Sequence, residues 1–208
     1  MLAINVLLFA LYSIYKETNQ NRSRSEIVNI DPETNIEEVF RLGTIEHIKG
    51  FQSVIVPLYS DQNFSLKYSG SKSTVSTRNL LFSNMLTQVN KWLLPKNNYL
   101  IANHRLINET NSYDRNIDVV TILYSIVKSD TNLDSRLTIS DKVTVALSDP
   151  EGNNYTEVLK DIDDVLGYEI LEKKVIAIMF NRENQGFITY VKLSDFKVTK
   201  EIELPKIN

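Results

Sequence analysis

The chain has 208 residues, no cysteine, two histidines, and 23 basic against 26 acidic side chains, for a net charge of −3. That length suits one domain with a real hydrophobic core, and the missing Cys excludes disulfide scaffolds, thiolate zinc sites, iron–sulfur clusters and cysteine nucleophiles. The acidic balance argues against a nucleic-acid partner, whose affinity comes mainly from Lys and Arg neutralising phosphates.

The first element is the run MLAINVLLFALYSIY, Met1 to Tyr15, uncharged and with Asn5 as its one strongly polar residue. Residues 1–16 are expected to form a short single-pass membrane helix, roughly 23 Å long against a hydrocarbon core of roughly 30 Å. Tyr12 and Tyr15 before Lys16 fit an interfacial belt at its far end. A buried N-terminal helix has the same signature. A cleaved signal peptide fits less well, because no Lys or Arg precedes the run and no small-x-small site follows it. The positive charges after the span, Lys16, Arg22 and Arg24, would by themselves hold the following residues in the cytoplasm.

Residues 17–50 read as a linker with one short helix. The stretch to Ile30 is polar, rich in Asn and Ser; then DPETNIEEVFRLG places Thr34 and Glu37 in capping-box spacing. Ile36, Val39 and Phe40 fall on one helical face, and Gly43 is a stop signal.

From Phe51 onward the period changes from about 3.6 to 2. Short runs rich in Val, Ile, Tyr and Phe recur: 53–59, 64–68, 79–83, 91–95, 99–107, 119–127, 142–148, 156–160, 168–171, 174–180, 187–194 and 200–205. Residues 51–208 are therefore expected to be a mainly β domain of antiparallel hairpins, a β-meander. Pro57, Pro95 and Pro205 imply edge strands or strand ends, since proline cannot donate to a ladder.

An internal repeat runs through these strands. NLLFSNMLTQVNKWLLPKN, VTVALSDPEGNNYTEVLKD and TYVKLSDFKVTKEIELPKI each close a strand on Ser followed by Asn or Asp: Ser83-Asn84, Ser148-Asp149 and Ser194-Asp195. A turn and a second strand follow each pair. The wider gap between the first two copies implies an insertion in the second unit. A repeat near 46 residues ending in a hairpin such as YVKLSDFKVTKEIELP resembles the blades of TolB-like and related β-propellers over about residues 79–206. The resemblance implies a partial or small β-propeller-like domain, with room for three or four blades, at or below the minimum for closing a ring. A twisted meander or sandwich is the alternative.

The inserted segment carries the most specific motif, Asp130-Thr-Asn132-Leu-Asp134-Ser-Arg136-Leu-Thr138-Ile-Ser-Asp141. Oxygen side chains stand at positions 1, 3, 5, 9 and 12 of a twelve-residue loop, the register of an EF-hand calcium loop. Calcium takes six to eight hard oxygens. Asp130, Asn132 and Asp134 would give side-chain oxygens, Arg136 its carbonyl, Thr138 a direct or water-bridged contact, and Asp141 the closing carboxylate. The loop resembles those of dockerins and of calcium-binding propellers. It departs from the EF-hand in having Ser135 where Gly makes the turn, and strand-like flanks in place of helices. An Asn- and Asp-rich turn without metal is the alternative. A weak structural Ca2+ site is useful outside the cytoplasm, which favours an extracytoplasmic domain.

No nucleotide-binding, metalloprotease or hydrolase motif occurs. His47, His104 and the Asp161, Asp163, Asp164 group stand in ordinary surroundings, and Trp92 is expected in the packing. With no nucleophile beside an evident base, no catalytic residues are assigned and a non-enzymatic role is expected. The sequence reads as an accessory or scaffold subunit, held in a bacterial inner membrane by residues 1–16, with its β domain in the periplasm. It would dock on an integral-membrane protein complex, Asn5 seeking a helix partner in the bilayer. A free-standing periplasmic ligand-binding or sensor protein is the second reading.

Overall fold

Period-2 alternation is the pattern that sheets impose, and the computed structural model is built of sheets throughout the residues it describes: 26–33, 35–66, 70–109, 117–171 and 174–206. The expected membrane helix, residues 17–25 of the linker and Thr34 lie outside them. Among the described residues no helix is long and apolar enough to cross a membrane.

The strands are β1 (Val28–Asn29), β2 (Ile36–Leu42), β3 (Glu46–His47), β4 (Ser53–Leu66), β5 (Gly70–Asn84), β6 (Asn90–Trp92), β7 (Leu100–Asn108) and β8 (Val119–Val127). They continue with β9 (Arg136–Leu137), β10 (Val143–Ser148), β11 (Thr156–Ile162), β12 (Asp164–Leu171), β13 (Val175–Arg182), β14 (Gln185–Lys192) and β15 (Lys197–Glu203). Pairing is antiparallel and follows chain order. The first sheet is β2-β4-β5-β6 with β3 also on β4, the second β7-β8-β10-β11, and the third β12-β13-β14-β15. The second and third are four-stranded meanders, the unit from which propeller blades are made, and the first has the same four-strand path with β3 as a fifth strand.

The three sheets are joined through two cores. Ile55, Leu80 and Phe82 of the first sheet meet Ile122, Tyr124, Ile126 and Ala146 of the second. Leu123, Val127, Val143, Val145 and Leu147, on the other side of the same β8 and β10, meet Ile176, Ile178, Phe180 and Val191 of the third. Successive residues of a strand point to opposite faces, so a sheet covered on both sides carries apolar residues at consecutive positions. That is why VTVALS is buried at all six positions.

The repeat maps onto this order. Its copies are the hairpins β5–β6, β10–β11 and β14–β15, the third and fourth strands of each sheet. The recurring Asn or Asp caps the turn with its side chain. Asn84 accepts the N–H groups of Leu86 and Thr87, Asp149 those of Glu151 and Asn153, and Asp195 that of Lys197. The insertion that widens the first spacing is the 128–142 connection between β8 and β10, where the third sheet uses only Glu183 and Asn184.

Two expectations are corrected. The segment read as a helix from Thr34 to Gly43 holds strand β2, paired with β4 from Ile36↔Phe64 to Leu42↔Leu58. Tertiary pairing overrides the local helical spacing: Ser60 and Gln62 of β4 both donate to Glu38, at 2.5 and 3.3 Å. Pro57 lies in the interior of a central strand, not at an edge. It sits where the neighbour of β4 changes from β2 to β3, and its carbonyl accepts the Gly43 N–H at 2.7 Å. In an extended residue N and C=O point to the same side, so the missing donor falls in the gap between the two short neighbours. Pro95 and Pro205 stand beyond the ends of β6 and β15, as expected.

Candidate functional site

The acidic loop from Asp130 to Asp141 folds around its own backbone. Asp130 accepts the N–H groups of Asp134 (3.2 Å) and Ser135 (2.8 Å), Asn132 that of Asp134 (3.0 Å), and Asp134 that of Arg136 (3.0 Å). Asp141, 1% exposed, closes the loop from its other end. Its Oδ1 accepts the N–H groups of Thr131 and Asn132 and the Thr131 hydroxyl, and its Oδ2 the Thr138 N–H at 2.9 Å. Leu133 and Ser135 both have φ of +62°. Ser135 thus takes, at position six, the left-handed backbone that the sixth-position Gly of an EF-hand loop supplies.

The structure therefore gathers Asp130, Asn132 and Asp134 on the N–H groups of 134–136, and puts Asp141 at the loop's base. Arg136 is drawn into β9, whose pairing with β1 is extended by the Ile30 N–H to the Ser135 carbonyl at 3.0 Å. Thr138 uses its hydroxyl to accept the Ser140 N–H. The donors are hard oxygens, the right chemistry for calcium. Among the described residues no three His, Cys, Asp or Glu side chains form a group that could hold a metal ion.

The remaining residues singled out by sequence fall elsewhere. His104 Nε2 lies 2.7 Å from Glu46 Oε2, and His47 is exposed on β3. Asp163 pairs with Lys142, whose ammonium holds its carboxyl below the usual range, and it stands next to Asp164 at the β11–β12 corner. Trp92, expected in the packing, is half exposed on edge strand β6, with Leu81 as its cross-strand partner.

Three features were not legible beforehand, since each depends on strands distant in sequence. A cleft of about 750 Å³ opens between the second and third sheets, lined by Phe51, Val119, Ile170, Leu171 and Leu193 with Glu109 and Lys174 at hand. A smaller one, about 260 Å³, brings Asn103 and Arg105 of β7 against Asp163, Asp164 and Tyr168, with the Arg105 guanidinium 5.9 Å from the Tyr168 ring centroid. The third feature is buried Arg78. It donates Nε to the Asn97 carbonyl at 2.8 Å and points Nη2 towards Glu38 at 3.7 Å. Burial lowers its pKa.

The far face of the third sheet is largely apolar and, among the described residues, belongs to neither core cluster. Met179, Ile188 and Ile202 lie side by side across β13, β14 and β15, next to Ala177 and Tyr190. Leu171 and Val175 pair at the end of the same face. Glu169 on β12 and Lys200 on β15 flank the row of Ala177 and Tyr190.

No family model matches the chain, and no curated protein does. Among solved structures it is similar to the β-propeller domain of the Trilobed protease from Pyrococcus furiosus, with a TM-score of 0.35 and 11% identity. The likeness covers 80% of this chain and 44% of that one, so the chain spans less than half of that structure's length. It is a weak β-propeller-like resemblance and concerns the fold alone.

Proposed function

We propose that the protein is a non-enzymatic accessory or scaffold subunit, tethered to a bacterial inner membrane by residues 1–16. In this reading its β-propeller-like domain lies in the periplasm and docks on an integral-membrane protein complex. The observation that carries it is the far face of the third sheet. The faces between sheets carry the two cores, whereas among the described residues the Met179, Ile188, Tyr190 face has the same apolar, period-2 make-up and belongs to neither core. Apolar faces of this kind mark protein interaction sites. The 130–141 loop is the structural calcium site of this reading, supported by its oxygen donors and the left-handed Ser135.

Affinity purification of the full chain in mild detergent, tagged at the C-terminus, tests the docking role. Wild type recovers a membrane partner in stoichiometric amount, and Met179→Glu loses it; a clean monomer from wild type overturns the proposal. Calorimetric titration with calcium tests the loop, and absence of heat at millimolar ion removes the metal from the reading.

The 750 Å³ cleft favours the second reading, a periplasmic ligand-binding or sensor protein. A small molecule that protects the chain against heat, and fails to protect Ile170→Trp, would place function in the cleft instead.

A further inference from the structure

The β5–β6 hairpin ends in a turn whose surface is apolar. Met85 is 53% exposed, Leu86 73% and Val89 60%; Phe51, on the adjoining turn, is 38% exposed. The two turns are tied by the Met85 N–H to the Gln52 carbonyl at 3.0 Å. Trp92, 44% exposed, follows three residues after Val89 and next to Lys91. The equivalent turns of the other two sheets read DPEGNN and DFK, so the repeat does not require this composition. Packing does not require it either, since Met85, Leu86 and Val89 are each more than half exposed.

The backbone donors of the tip from Asn84 to Gln88 are paired. Asn84 N–H goes to the Val89 carbonyl, Met85 N–H to Gln52, Leu86 and Thr87 N–H to the Asn84 side chain, and Gln88 N–H to the Asn84 carbonyl. Five consecutive donors are thus satisfied within the protein. Pairing of these donors lowers the cost of bringing the backbone towards a medium without water, where every bare N–H and C=O is penalised. A tip with large apolar side chains, no unpaired backbone N–H from 84 to 88, and a Trp beside a Lys one step back matches the layered polarity of a bilayer surface.

We propose that the β5–β6 tip inserts Met85, Leu86 and Val89 into the boundary between headgroups and acyl chains of a lipid bilayer, with Trp92 at the interface. The proposal rests on the membrane-tethered reading in so far as the anchor and the tip share one membrane. Geometry permits it: Glu26 is held by Thr77, and Thr77 to Asn84 along β5 is about 23 Å. The nine residues 17–25 span up to about 30 Å. On this view the tip fixes the tilt of the domain and leaves the third sheet's far face for the partner complex.

Trp92 is the single tryptophan of the chain, so its fluorescence reports on this site alone. The full chain is mixed with phosphatidylcholine vesicles, with and without brominated acyl chains, and co-sedimentation is measured in parallel. In wild type, Trp92 emission shifts to the blue and is quenched by the brominated lipid. Met85→Glu with Leu86→Glu, both on exposed side chains, keeps the far-ultraviolet circular dichroism and the co-sedimentation but loses shift and quenching. Co-sedimentation without quenching overturns the tip and leaves the anchor standing. Quenching at high lipid without stable co-sedimentation overturns the anchor and leaves the tip. Equal quenching in wild type and variant also overturns the tip.

Discussion

Asp141 is the carboxylate on which the acidic loop depends, and its removal separates a structural from an incidental role. Asp141→Ala deletes acceptors for three backbone N–H groups and one hydroxyl. Hydrogen bonds to a charged group contribute about 1.5–3 kcal/mol each. They share one carboxylate and Asn132 and Thr131 reach solvent once freed, so the sum is well below additive, about 2–4 kcal/mol. For a domain of this size that lowers the thermal midpoint by roughly 4–16 °C. Asp134→Ala is the control, because its exposed carboxylate accepts the Arg136 N–H at 3.0 Å, and it should cost less than about 1 kcal/mol. Thermal and urea unfolding followed by far-ultraviolet circular dichroism, in chelator, give both numbers without a contribution from calcium. Equal losses in the two variants would refute the argument that Asp141 organises the loop through buried amide contacts.

Other perturbations probe the cores and the pH dependence. Phe180 is fully buried, stacked on Phe187 with ring centroids 5.6 Å apart and Arg182 above both rings; Phe180→Ala should cost about 3–5 kcal/mol in urea unfolding. A loss no larger than that of a surface change would mean that the second and third sheets are not joined through this core. Burial raises the pKa of Glu26 above its ordinary value, against the opposing hydrogen bonds from Thr77. The folded state then holds its proton more tightly than the unfolded chain, so the stability linked to Glu26 is present below the ordinary carboxylate range and is lost as pH rises through the folded pKa. Glu26→Gln should flatten that part of the stability profile, and an unchanged slope in a pH series of urea midpoints would count against it.

The strand runs were legible because each sheet face imposes its own period. The limits expected for 119–127 coincide with β8, and those for 142–148 and 174–180 fall within two residues of β10 and β13. The Ser–Asx repeat was legible for a local reason as well, since Asn84, Asp149 and Asp195 cap turns within three or four residues of themselves. Residues 36–42 were misread because Ile36, Val39 and Phe40 satisfy a helical face as well as a strand. The deciding contacts come from Ser60 and Gln62, more than twenty residues away in the chain. The acidic loop was found by composition, but the assignment of its oxygens to particular amides came only with the fold.

By itself, then, the sequence determined the β class, the repeated turn chemistry, the insertion of the 128–142 loop and the apolar character of residues 1–15. All of these depend on neighbours a few residues apart. Tertiary structure decided which strands share a sheet, that among the described residues the second sheet is buried on both sides while the third is covered on one, and that Arg78 meets Asn97 and Glu38. It also decided that Met85, Leu86 and Trp92 stay in the open. An apolar residue on a strand or turn has the same local signature whether a second layer covers it or not. Only the stacking of sheets settles which faces are core and which stay exposed.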